Sequence, residues 1–260
     1  MNESQCTLIL KPAYPVVVAN RFVKGKLTMT QRERQLLYVA ISQILYEDKD
    51  FKTCIAPAKE VAEFLGLDPK KYSEDLPEIC NKLNTRAISL QMNDGSYKGF
   101  PIMQEITYRN GILTLRLNDN MKPYMIALKK CYSEFILGTL CSFKSIYTSQ
   151  IYMWIVCEST ENPYKPKTEW YFSCDDIRSM FDIKKTKYKK PSDLIKNTIR
   201  VAYNELEQSP FVRIWDYQEH KSKTRGRHLE GVSFKAVVMD RERQKMWFDD
   251  KILSALSKDN

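Results

Sequence analysis

Residues 54–83 read CIAPAKEVAEFLGLDPKKYSEDLPEICNKL, and residues 170–199 read WYFSCDDIRSMFDIKKTKYKKPSDLIKNTI. At an offset of 116 the two stretches align without a gap in apolar pattern. Val61 faces Ile177, Phe64 faces Met180, Leu65 faces Phe181 and Leu67 faces Ile183. Further on, Tyr72 faces Tyr188, Ile79 faces Ile195 and Leu83 faces Ile199. Upstream, at an offset of 115, Gln35-Leu36-Leu37 faces Gln150-Ile151-Tyr152. Identities are few, but a shared order of apolar positions over about fifty residues points to an internal duplication.

Each copy reads as the same series of elements. In the first, Thr30–Leu45 carries a helical apolar stripe, with Thr30 as N-cap and Glu33 completing a capping box. Phe51–Ile55 is a short strand, and Ala58–Leu65 a second helix closed by Gly66. Ser73 is expected to cap a third helix running to about Arg86. Segments around Ala87–Met92, Phe100–Tyr108 and Ile112–Leu117 follow, joined by Asn93-Asp94-Gly95 and Asn110-Gly111, which are hairpin turn sequences. In the second copy Phe143–Cys157 is a buried helix, Glu169–Phe172 the strand, and Cys174–Phe181 and Pro191–Glu207 the next two helices. Phe211–Tyr217 and Val232–Val238 flank a loop, and Asp240–Ser257 reads as a C-terminal helix that packs back on its domain. Helix, strand, helix, helix, hairpin is the order of a winged helix. The expected fold is therefore α+β, two tandem winged-helix domains related by duplication, spanning residues 1–135 and 136–260. A helix carrying Met121–Lys130 is expected to end just before the boundary.

The chain has 260 residues and a formal net charge of +9. Residues 184–228 concentrate this excess, with twelve basic and five acidic side chains. That segment holds the approach to the third helix of the second copy, the helix itself and the hairpin loop. A winged helix offers these parts to the major groove and the backbone. On the helix, Leu194, Ile195, Thr198, Ile199, Ala202, Tyr203 and Leu206 form the inward stripe. The opposite face holds Asp193, Lys196, Asn197, Arg200 and Asn204, beside Ser192. Lysine and arginine bond guanine O6 and N7, and asparagine bonds adenine N6 and N7. Lys187, Lys189 and Lys190 lie just before the helix, where lysines and backbone N–H groups suit phosphate. The loop adds Lys221, Lys223, Arg225 and Arg227 without an acid. The corresponding helix of the first copy opens with Ser73-Glu74-Asp75 and offers only Lys70, Lys71, Lys82 and Arg86. The second module is thus expected to be the main reader of DNA, and the first a weaker reader or a protein–protein surface.

Composition narrows the alternatives. Eight glycines and the absence of GxxxxGK[ST] or GxGxxG leave no nucleotide-cradling loop of those types. Seven scattered cysteines without a CxxC read as buried thiols in a reducing cytoplasm. Two histidines, His220 and His228, show neither HExxH nor HxH spacing, so no metal, cofactor or catalytic residue is expected. No apolar run is long enough to span a membrane. The N-terminus lacks the pattern of a secretory leader.

Several stretches resemble plasmid replication initiators of the Rep-3 type, the tandem winged-helix initiators that bind iterons. They are Ala19-Asn20-Arg21-Phe22 and Leu27-Thr28-Met29-Thr30-Gln31-Arg32-Glu33-Arg34-Gln35-Leu36-Leu37. Ser145-Ile146-Tyr147-Thr148-Ser149-Gln150-Ile151-Tyr152-Met153 is similar to the family's S-K-Y-S-I-R-L-Y-E, with Ile146, Gln150 and Met153 departing by the loss of charges. Ile177-Arg178, Tyr188, Leu194-Ile195-Lys196 and Glu205-Leu206 continue the pattern as far as Val238. The resemblance implies binding to repeated double-stranded DNA sites at an origin, local duplex opening and recruitment of host replication proteins such as an initiator or helicase. It also implies, for many such initiators, a homodimer formed through the N-terminal module and repression of their own gene. A winged-helix transcriptional regulator without initiator activity would use the same residues. A nicking initiator would need a tyrosine nucleophile, of which Tyr188 has the most basic setting, together with a histidine-rich metal site.

Overall fold

The computed structural model describes residues 5–161, 164–222 and 228–256. By packing, the chain divides into two units, one formed by residues up to Ser142 with those from Lys245 on, the other by Phe143–Gln244.

The first unit begins with β1 (Gln5–Thr7), β2 (Pro15–Ala19) and the single turn α1 (Asn20–Val23). Helix α2 (Gln31–Ile41) starts where the sequence predicts, with Thr30 Oγ1 accepting the Glu33 N–H. The return bond of a capping box is not made, because the Glu33 carboxylate is turned to Arg86. Strand β3 (Thr53–Pro57) leads into α3 (Ala58–Phe64) and α4 (Tyr72–Asn84). The N-cap of α4 is Lys71 rather than Ser73, and no side chain caps it. The hairpin of β4 (Ala87–Gln91) and β5 (Tyr97–Pro101) precedes that of β6 (Met103–Arg109) and β7 (Ile112–Leu117). Asn110 and Gly111 both take positive φ between β6 and β7, as a two-residue hairpin turn requires. The main sheet has the order β1-β3-β7-β6. Beyond it, a 3-10 helix at Asp119–Tyr124 replaces the helix expected through Lys130. Strand β8 (Tyr132–Ile136) returns antiparallel to β2, and α5 (Leu137–Ser142) ends the segment.

The second unit repeats the plan. Helix α6 (Ile146–Thr160) begins three residues later than predicted, because Ser145 Oγ accepts the Tyr147 N–H and caps it there. Its apolar residues surround the axis, so it is buried from Thr148 to Met153 and again from Ile155 to Cys157. Strand β9 (Glu169–Ser173) and helix α7 (Cys174–Met180) match β3 and α3 residue for residue at the offset of 116. The left-handed residue that ends the helix recurs too, Gly66 at φ +63° and Asp182 at φ +50°. The capping box absent from α2 occurs at α7, where Ser173 and Asp176 bond reciprocally. The third helix is not continuous. It is broken at Thr198 into α8 (Pro191–Asn197) and α9 (Ile199–Glu207). Thr198 Oγ1 donates to the Leu194 carbonyl at 2.6 Å, and a threonine hydroxyl back-bonded to the preceding turn bends a helix. Strands β10 (Val212–Lys221) and β11 (Leu229–Val238) form the hairpin, and the sheet order is β10-β11-β9.

The last helix, α10 (Arg241–Leu256), belongs to the first unit from Lys245 onward. There the Phe248 ring lies so close to Gly138 that a Cβ at that glycine would meet it at 2.6 Å. The sequence reading assigned this helix to the second domain. Tertiary packing, to which helical periodicity is blind, decides otherwise.

Candidate nucleic-acid interface

All seven residues assigned to the inward stripe of the broken helix are buried: Leu194, Ile195, Thr198, Ile199, Ala202, Tyr203 and Leu206. Their burial turns the opposite face outward, and Ser192, Asp193, Lys196, Asn197 and Asn204 are exposed. Pro191 at the first helical position presets the backbone for α8. Asn197 Nδ2 donates to the Asp193 carbonyl at 2.7 Å, which leaves its oxygen outward. Glu205, on the same helix, anchors it to the start of α6 by accepting from the Lys144 and Ser145 N–H groups and the Thr148 hydroxyl.

The basic turn before α8 is organised by a residue the sequence reading did not select. The Arg178 guanidinium donates to the carbonyls of Lys184 at 3.1 Å, Lys187 at 2.9 Å and Tyr188 at 2.6 Å. Three carbonyls therefore converge on one cation, and Tyr188 adopts φ +52°. Lys184, Lys185, Lys187, Lys189 and Lys190 are exposed around this turn, with the Lys187 ammonium 5.1 Å from the centroid of the Tyr188 ring. Among the described residues none of these lysines, nor Lys196, is in an ion pair. The signal available in sequence was a single arginine on the helix before a run of five lysines.

Arg200 differs from its neighbours. Its guanidinium lies 3.7 Å from the centroid of the Tyr217 ring and donates to Glu219 Oε1 at 3.0 Å. Tyr217 packs edge-on against Tyr203 at 4.9 Å, and burial pushes its hydroxyl up to about 12. Lys221 is exposed at the end of β10, whereas Lys223, Arg225 and Arg227 lie outside the described residues. His220 is engaged with the Ser233 hydroxyl at 2.7 Å and with the edge of the Tyr171 ring.

The matching surface of the first unit is already neutralised. Lys82 pairs with Glu78 one turn away at 2.5 Å. Arg86 donates to both carboxylate oxygens of Glu33, which is wholly buried, at 2.7 and 3.1 Å. Arg86, which the sequence reading placed on the exposed face of this helix, lies two residues past the end of α4 and is engaged by α2 instead. Lys70 and Lys71 remain exposed before α4. Among the described residues no group of three or more His, Cys, Asp or Glu is placed to hold a metal ion. No described helix is long and apolar enough to cross a membrane.

Comparison with known proteins agrees with the fold. Residues 15–156 match the family described as "Initiator Replication protein, WH1", and residues 173–236 match "Initiator Rep protein, WH2". A crystal structure of the Pi initiator protein in complex with iteron DNA shares the fold, with a TM-score of 0.69 at 17% identity. That match covers 88% of this chain and 99% of the other. With two winged helices in tandem, and family models matching well over half its length, the chain belongs to the initiator Rep proteins, the plasmid replication initiators of the Rep-3 type.

Proposed function

We propose that this protein initiates plasmid replication by binding repeated duplex sites at an origin, with the second winged helix as main reader. The observation that carries this reading is the contrast between the two third helices. In the second unit the lysines around α8 form no ion pair among the described residues, while in the first Lys82 and Arg86 are held by Glu78 and Glu33. Unpaired cations release the counterions of DNA without first breaking a protein contact. In this reading Lys196, Asn197, Arg200 and Asn204 face base edges. Lys187, Lys189, Lys190 and Ser192 hold phosphates, and Lys221, Lys223, Arg225 and Arg227 follow the backbone from the wing. Asp193 shares the same exposed face, between Ser192 and Lys196. Lys70 and Lys71 give the first module, residues 1–135, a weaker contact. The Pi protein, crystallised with iteron DNA, has the same fold and supports duplex DNA as the partner.

Duplex opening, recruitment of host replication proteins, homodimerisation through the first module and action in the cytoplasm complete the proposal. Family membership supports them. The deciding experiment places this gene and its flanking DNA alone on a plasmid. Replication in a suitable host, lost when the repeats are scrambled, is the expected result. Binding to the repeats without replication would instead identify a transcriptional regulator.

A further inference from the structure

The β10 strand carries a register shift that bears on sequence discrimination. Trp215 pairs with Lys235, but the next pair is Gln218 with Ser233, so β10 holds one extra residue. Asp216 sits in this bulge at φ +59°. Its carboxylate is tied to Lys235 Nζ at 2.9 Å and to Gln218 Nε2 at 2.9 Å. Before the bulge, Val212 and Ile214 are the buried residues of the strand. Strict alternation would continue that face through Asp216 and Gln218, and send Tyr217 and Glu219 to the other side. The extra residue reverses the alternation. Glu219 then pairs with Val232, a fully buried residue of the helix-packed face, and Tyr217 reaches Tyr203. Both now meet Arg200, the tyrosine by stacking and the glutamate by an ion pair.

A carboxylate in the middle of a surface meant for a polyanion lowers overall affinity. We infer that Glu219 is a specificity-determining residue: it holds Arg200 for base edges and penalises its use on phosphates. A phosphate oxygen and the Glu219 carboxylate are both anions. Bringing one to the other's arginine adds repulsion to the exchange of one charged acceptor for another. A guanine edge presents two neutral acceptors, O6 and N7. The guanidinium has five N–H donors, so it can keep Glu219 with one and bond the base with two others. The Tyr217 stack fixes its plane for that geometry. This inference rests on the assignment of the α8–α9 face to DNA.

The test compares wild type, Glu219→Gln, Tyr217→Phe and Lys196→Ala, each checked for an unchanged thermal transition. The specific probe is the duplex that wild type enriches from random DNA, and the non-specific probe is poly(dI-dC). Glu219→Gln is expected to lower the specific-to-non-specific affinity ratio by about fivefold, mainly through tighter poly(dI-dC) binding with a salt slope steeper by about 0.9. Tyr217→Phe retains the stack and keeps the ratio. If Lys196→Ala lowers the ratio and Glu219→Gln does not, the role of Glu219 is overturned while the DNA-facing assignment stands. If wild type enriches no sequence, or both variants leave the ratio unchanged, the assignment itself falls, and this inference with it.

Discussion

Arg86, just past the end of α4, holds the fully buried carboxylate of Glu33 on α2 through two bonds, Nε at 2.7 Å and a terminal nitrogen at 3.1 Å. The first helix of the module is thereby tied to its third. Arg86→Ala would leave a buried charge without its main partner, a class of change that costs about 3–5 kcal/mol. The lower end applies here, because the arginine side chain is 30% exposed. Urea denaturation should show the loss, and Glu33→Gln combined with Arg86→Ala should recover part of it. DNA affinity of the folded Arg86→Ala protein should remain that of wild type. A drop in affinity without a change in stability would return Arg86 to the DNA face.

Arg178 is predicted to act through the turn it organises. Arg178→Ala removes three donors from the Lys184, Lys187 and Tyr188 carbonyls and should reduce stability by about 1–2 kcal/mol. Binding to duplex DNA should weaken by more than the loss of one exposed lysine produces, since several lysines lose their placement. Anisotropy titrations of Arg178→Ala against Lys185→Ala separate the two cases. Equal losses would reduce Arg178 to one more surface charge.

The lysines before α8 are predicted to set salt dependence. Lys189→Ala with Lys190→Ala should make the slope of log affinity against log salt shallower by about 1.8, if each holds one phosphate. Lys82→Ala, whose ammonium is already paired with Glu78, should change the slope by much less. A larger effect from Lys82 would reverse the ranking of the two modules.

Stability should fall at alkaline pH because of buried thiols. Burial pushes the Cys80 thiol from its ordinary 9.0 up to about 12, and also raises Cys54, whose Sγ lies 3.3 Å from Cys6 Sγ. The folded state keeps protons that the unfolded chain releases above about pH 9. Stability is therefore full below that value and declines as pH rises toward 12, by about 1.4 kcal/mol per unit for each such thiol. Denaturation from pH 8 to 10.5 measures this, and Cys80→Ala should flatten the decline. In native protein at pH 8, exposed Cys131 should alkylate well before Cys80.

Ser173 completes the only helix-capping box recorded among the described residues. Ser173→Ala should lower the stability of the second unit by about 1 kcal/mol. Asp176→Asn should cost less, because the serine oxygen still accepts the Asp176 N–H.

Much of the architecture was legible before the structure. The matched pairs β3 with β9 and α3 with α7 follow from apolar spacing, which is local and survives divergence of identity. The inward stripe from Leu194 to Leu206 follows from the same periodicity. Where that reading misplaced a helix boundary, a local side-chain bond that apolar periodicity does not register prevailed. The break at Thr198 depends on a hydroxyl bonded to the turn before it, and the late start of α6 on the cap at Ser145. Sequence by itself determined two winged helices in tandem and the concentration of charge on the second, because helix periods, turn residues and charge runs are properties of neighbouring residues. Only the tertiary structure decided which cations are available. Arg86 is taken by Glu33, Arg178 by three carbonyls, and Arg200 by Tyr217 and Glu219 across a bulge. The Arg178 outcome depends on how one turn folds back on its helix, and those of Arg86 and Arg200 on helix packing and strand register between separate segments, where a single inserted residue in β10 exchanges the side chains that face α9.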